Sequence, residues 1–142
     1  MPLLNYTTTV EALRTVGQIQ VILVAHGAKS ILMNYSDDGT IESLSFVVKT
    51  PHGEIPIRLP VEANAVLKVM EKQNLAPRYA NYQQAVRVAW RIVKDWVAAQ
   101  MAILETEMVR MEQVFLPYIV NQDGRTLYEV MVDRHFLLGE GG

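Results

Sequence analysis

With 142 residues, 50% of them hydrophobic and 20% charged, the chain has the make-up of one ordinary folded domain and not that of a disordered segment. Its 13 basic and 15 acidic residues leave a formal charge of -2, so bulk charge draws it neither to nucleic acid nor to an anionic membrane, and any such site has to be local. The lack of cysteine removes disulfides, thiolate metal sites and a cysteine nucleophile together.

The longest notable apolar run, residues 21–25, falls far short of the ~20 residues that cross a bilayer. The start, Met1 to Asn5, has neither the basic flank nor the apolar core of a signal peptide. A cytoplasmic protein without a membrane partner is therefore expected.

Thr8 and Glu11 have the spacing of a capping box and predict a helix opening near Thr9. Val10, Leu13, Val16, Ile19 and Leu23 carry it at helical spacing to Gly27, a residue suited to a left-handed stop. Gly17 and the pair Val21-Ile22 leave a strand over residues 19–25 as the other reading. From Ser30 the period changes to two. Runs at 30–35, 41–49 and 54–59, separated by Asp37-Asp38-Gly39-Thr40 and Thr50-Pro51-His52-Gly53, predict a three-stranded antiparallel meander with one face buried. Pro56 lacks a backbone donor and places the third strand at an edge.

Residues 62–73 read as a helix with Val66, Val69 and Met70 on one side, followed by a connector at 74–78. Between Gln83 and Phe115 there is neither proline nor glycine, and apolar residues recur at 86, 90, 93, 97, 101, 104, 108, 111 and 115. A continuous helix over 83–115 would run roughly 50 Å, beyond the width of such a domain, so it must bend, break or pair with another subunit. A second apolar stripe at Ala85, Ala89, Ile92, Trp96 and Ile103 argues for two partners and hence for a homo-oligomer, at least a dimer. Leu116-Pro117 interrupts, Asn121 to Gly124 turn, and Thr126 with Glu129 caps a short helix to about Phe136, ahead of frayed residues 139–142. The expected fold is a single α+β domain over 1–142: an N-terminal helix, a three-stranded antiparallel β-meander, a helix, a very long helix and a short C-terminal helix.

The basic row Arg87, Arg91 and Lys94, at i, i+4 and i+7 with Arg78 upstream, is the best candidate ligand site. Forked guanidinium donors suit a phosphate or carboxylate, and Tyr82 or Trp90 can stack on a base. Its plain alternative is a solvated face on which Asp95 neutralises Arg91. Glu105, Glu107 and Glu112 lie farther along the same pattern without the histidine partner that carboxylate bundles use, and suit an intersubunit contact with the basic row better than a metal. His26 suits the negative end of the first helix dipole, and His52 sits in a turn. His26, His52 and His135 form no ligand pair, so neither a metal nor a cofactor is expected. Gly-x-Ser-x-Gly, the phosphate loop and Gly-x-Gly-x-x-Gly are all absent, which leaves no catalytic residue to name.

The stretch from Ala85 to Trp96, with Phe115-Leu116-Pro117-Tyr118, His26-Gly27-Ala28, Leu44-Ser45-Phe46 and Arg58-Leu59-Pro60, resembles a family of small uncharacterised phage and prophage proteins. The resemblance implies an accessory protein in the host cytoplasm. The expected function is non-catalytic binding of an anionic, nucleotide-type ligand, such as a host immune signal to be sequestered. The alternatives are a nucleic-acid-binding accessory of replication or recombination and a protein–protein inhibitor of a host defence system.

Overall fold

A computed structural model describes residues 1–139. Its elements, in chain order, are α1 (Ala12–Ala25), β1 (Ala28–Tyr35), β2 (Ile41–Thr50), β3 (Gly53–Arg58), α2 (Ala63–Lys72), α3 (Tyr82–Glu105), α4 (Met111–Val114), a 3-10 turn (Leu116–Tyr118) and α5 (Leu127–Asp133). This is the expected α+β order, and the sheet is the expected antiparallel meander β1-β2-β3. Residues 140–142, placed in a frayed tail by composition, lie outside the described residues.

Alternation along β2 buries Leu44, Phe46 and Val48 on one face, and Ile41 joins them across a register shift at the start of the strand; together they meet Val16, Ile19 and Leu23 of α1 and Val86, Trp90, Val93, Val97 and Met101 of α3. Residues 19–25 are helical, so the strand alternative fails: Ile19 and Leu23 need a spacing of four to share the core face. Gly27, at φ +99°, turns the chain directly from α1 into β1 in a conformation that a side chain would resist. On the other flank of α3, Ala85 and Val88 form a second cluster with Met70 of α2 and with Leu3 and Ile92. Thus α3 stands between α1 and α2, and over its first half both apolar stripes are covered within the same chain. The second stripe therefore does not itself call for another subunit.

Two sequence expectations are corrected here. The Thr8–Glu11 capping box does not form: α1 begins at Ala12 with Glu11 at its N-cap position, and that side chain makes no cap hydrogen bond. Its carboxylate instead reaches Arg87, while Thr8 Oγ1 accepts from the amide of Val10 at 3.2 Å. The helix expected over 83–115 ends at Glu105. Thr106 Oγ1 donates back to the carbonyl of Ile103 at 2.5 Å and accepts from the amide of Met108 at 3.2 Å, and Glu107 takes a left-handed φ of 62°. These local bonds compete with the helical ladder. The reversal has a reason in packing. A straight helix would carry residue 115 about 15 Å past that end, whereas Phe115 is fully buried, edge-on to Phe46 at 5.6 Å and to Trp96 at 5.5 Å.

Beyond Phe115 the chain runs along the outer edge of β3. Val120 donates to the carbonyl of Pro56 at 2.9 Å and Ile57 bridges Ile119, so the proline strand is at an edge of the sheet, and that edge is itself covered. The Thr126–Glu129 capping box forms, and α5 stops at Asp133 because His135 and Phe136 both adopt positive φ.

Candidate functional site

The N-terminal end of α3 is assembled by three side chains. Asn81 caps the helix by accepting from the amide of Gln84 at 2.9 Å, and its own amide donates to the carbonyls of Pro77 and Arg78, both at 3.1 Å. Gln84 is buried, and its Nε2 donates to the carbonyls of Tyr6 (3.0 Å) and Thr8 (2.8 Å), which ties the N-terminal segment to the helix. Its Oε1 accepts from Arg87 at 3.1 Å, and Arg87 Nε lies 3.4 Å from Glu11 Oε1. Glu11, Arg87 and Gln84 thus form one polar chain from the start of α1 to the start of α3.

This junction opens onto a cleft of about 800 Å³ bounded by the start of α1, the β1–β2 turn and the start of α3. Arg87 and Tyr82 line it together with Asn81 and Glu11, and Asp38 lines it from the β1–β2 turn. Tyr82 is 44% exposed. Neither helix has an acidic residue in its first turn, and the opening amides of Ala12 and Leu13 have no intrahelical acceptor. Both helix dipoles therefore direct their positive ends toward this cleft. On the other wall, hydrogen bonds from Ser36 and then from the amide and hydroxyl of Thr40 hold the Asp38 carboxyl down at about 2, so it is ionised throughout the physiological range.

Of the sequence-predicted residues, Arg87 and Tyr82 therefore come together. The others go elsewhere. Arg91 donates to Gln18 Oε1 (2.6 Å) and Thr15 Oγ1 (3.4 Å) of α1; these acceptors are neutral, and the Arg91–Asp95 pair suggested by i, i+4 spacing is not made. Asp95 accepts from Asn5 at 3.0 Å and lies 3.8 Å from Lys94. Arg78 sits over the ring of Tyr79 at 4.8 Å, in the connector. Trp90 is corrected outright: with no exposed surface it belongs to the core and stacks on no ligand. A helix turns 100° per residue, so residues 87, 91 and 94 fan across a stripe whose parts face different neighbours.

The sequence reading missed Glu11 and Asp38 as cleft residues. The Asp-Asp-Gly run that signals the β1–β2 turn was the available clue to the second, and turn chemistry alone accounts for it. A separate recess of about 660 Å³ lies at the far end of α3, with His26, Lys49, Glu105, Arg110 and Glu112 among its lining. There His26 Nδ1 contacts the carbonyl of Ile22 at 2.8 Å and Nε2 contacts Glu105 Oε1 at 3.1 Å. The Ile22 carbonyl first, and the Glu105 carboxylate second, raise the imidazole above its ordinary value. Glu105 ends α3, Glu107 lies in the break and Glu112 is in α4, so the row that would face a second copy's basic residues is broken up. Among the described residues no three His, Asp or Glu side chains gather as a metal site, and no helix is long and apolar enough to cross a membrane.

Comparison with protein-family models, curated proteins and solved structures gives no match. The chemistry available in the larger cleft is that of recognition: one guanidinium, one aromatic face, two helix N-termini, and carboxylates able to accept from hydroxyl or amino donors.

Proposed function

We propose that the protein is a non-catalytic, oligomeric binding protein for a small nucleotide-type anion, in the setting of a phage accessory protein that sequesters such a signal. The observation that carries this reading is the shared wall of Arg87 and Tyr82 in a cleft that receives the N-terminal ends of α1 and α3. Phosphate suits the guanidinium and the helix amides, a base suits the Tyr82 ring, and ribose hydroxyls suit Asp38 and Asn81 as acceptors. Glu11 is the internal competitor for Arg87. Its side chain is 73% exposed, and such a pair is worth about 1 kcal/mol or less, so an incoming phosphate displaces it readily.

Calorimetric titration with nucleoside monophosphates, cyclic dinucleotides and inorganic phosphate tests the reading. Wild type is expected to bind at least one nucleotide more tightly than phosphate, with Tyr82→Ala and Arg87→Ala weakening it and Glu11→Gln strengthening it. Absence of heat and of any melting shift with every nucleotide overturns it. A steep fall of affinity for single-stranded or duplex DNA with salt, with no nucleotide binding, favours the nucleic-acid alternative. The protein-inhibitor alternative draws support from the exposed apolar residues Tyr128, Val132, Phe136, Leu137 and Leu138 at the C-terminal end.

A further inference from the structure

The two edges of the sheet are treated differently. The outer edge of β3 carries Pro56 and is covered by residues 119–120. The outer edge of β1 pairs with nothing among the described residues, since the sheet order is β1-β2-β3. An open edge is a template for another strand, and proteins that remain single blunt it with proline, charge or bulges. From Ser30 to Asn34 this strand has none of these. Its register with β2 is regular there, the irregularities falling at either end, and its nearest charge, Lys29, is engaged with Glu54. Leu32, at 61% exposure, and Tyr35, at 50%, stand in solvent on or beside this edge.

From this edge we infer that β1 pairs antiparallel with β1 of a second copy of the chain, across a two-fold axis at Leu32, joining two sheets into one. The inference rests on the assembly half of the proposed function and is independent of the ligand. The sequence of the strand selects a second copy over an unrelated strand. With the axis at Leu32, Ser30 faces Asn34 of the other copy, Ile31 faces Met33, and Leu32 faces itself, so polar meets polar and apolar meets apolar at every position of the regular run. Lys29 then comes opposite the Tyr35 ring. Helix α1, which packs on β1, adds to the surface. Its Thr15 and Gln18 side meets Arg91 of α3, and Leu13 and Val24, both exposed, lie on the opposite side of the helix. These residues leave an apolar strip beside an edge strand with nothing among the described residues to cover it.

Sedimentation velocity on the full chain tests this. Wild type is expected to run as a dimer, and Leu32→Lys, which puts two like charges face to face while leaving the monomer's core untouched, is expected to run as a monomer with unchanged circular dichroism. The absence of cysteine allows a second, register-specific measurement. Antiparallel partners stand within disulfide reach, so Leu32→Cys is expected to oxidise to a covalent dimer, as is the double variant Ser30→Cys with Asn34→Cys. Ser30→Cys alone is expected to remain reduced, because its opposite position is Asn34. A wild-type dimer that Leu32→Lys leaves intact and Leu32→Cys does not cross-link overturns the edge interface while the assembly reading stands. A wild-type chain that stays monomeric at the highest concentration reached overturns both.

Discussion

The two ends of α3 are held by different means. At Tyr82 the helix is capped by Asn81, tied through buried Gln84 to the N-terminal segment, and covered by α1 on one flank and α2 on the other. At Glu105 it meets one side-chain contact with His26 and then reverses through Thr106 and Glu107 into α4, which buries no residue of its own. Helical spacing of apolar residues continues past the reversal, yet Met108, which it assigns to the core stripe, is 70% exposed. The length of this helix therefore follows from how much of it the rest of the chain can cover. Propensity permits the helix and tertiary cover determines where it ends.

Substitutions at the two ends sharpen or break that contrast. Trp90→Ala removes the largest fully buried side chain and is expected to cost about 3–5 kcal/mol in urea unfolding; a cost below ~1 kcal/mol would mean that the covered half of α3 is not the stable half. Gln84→Ala leaves the carbonyls of Tyr6 and Thr8 without their donor and is expected to cost about 1–3 kcal/mol, with amide exchange accelerated in the N-terminal segment first. At the other end the sign reverses. Glu107→Gly relieves a left-handed residue and is expected to stabilise by roughly 0.5–1 kcal/mol, seen as a higher melting temperature.

The smallest effect is in pH. The folded state raises the His26 imidazole, through the Ile22 carbonyl and then Glu105, so its contribution is complete below the unfolded value of about 6.5 and is lost as pH rises through the higher folded value. Hydrogen exchange near Glu105 is accordingly expected to quicken from pH 6 to pH 8 beyond the intrinsic base-catalysed increase, and His26→Gln is expected to abolish that excess. An excess that persists in the variant would assign the far end to other contacts.

The fold was more legible in the residues than the site. Alternation in Leu44, Phe46 and Val48 identified the sheet because a strand exposed on one face must repeat every second residue. The Thr126–Glu129 box held because both partners lie within one turn, and Arg58, 3.9 Å from the same carboxylate oxygen, does not draw Glu129 away from Thr126. The same motif at Thr8 failed because Arg87, remote in sequence, takes the Glu11 carboxylate. Likewise the basic row on α3 was correct as a row and only partly correct as a site. Spacing places Arg87, Arg91 and Lys94 on neighbouring turns; the facing helix α1 supplies Glu11 to one and Gln18 with Thr15 to the next.

By itself the sequence determined the elements whose causes are local: the period of two in the strands, the turn residues between them, the period of 3.6 in the helices and the capping hydroxyl of Thr126. Tertiary structure alone decided where α3 stops, that Asp38 and Glu11 share a cleft with Arg87 and Tyr82, and that one sheet edge is covered while the other, among the described residues, is bare. The division has one physical cause. Backbone preference acts over a few residues, whereas burial and charge pairing are settled by which distant segment arrives at a surface.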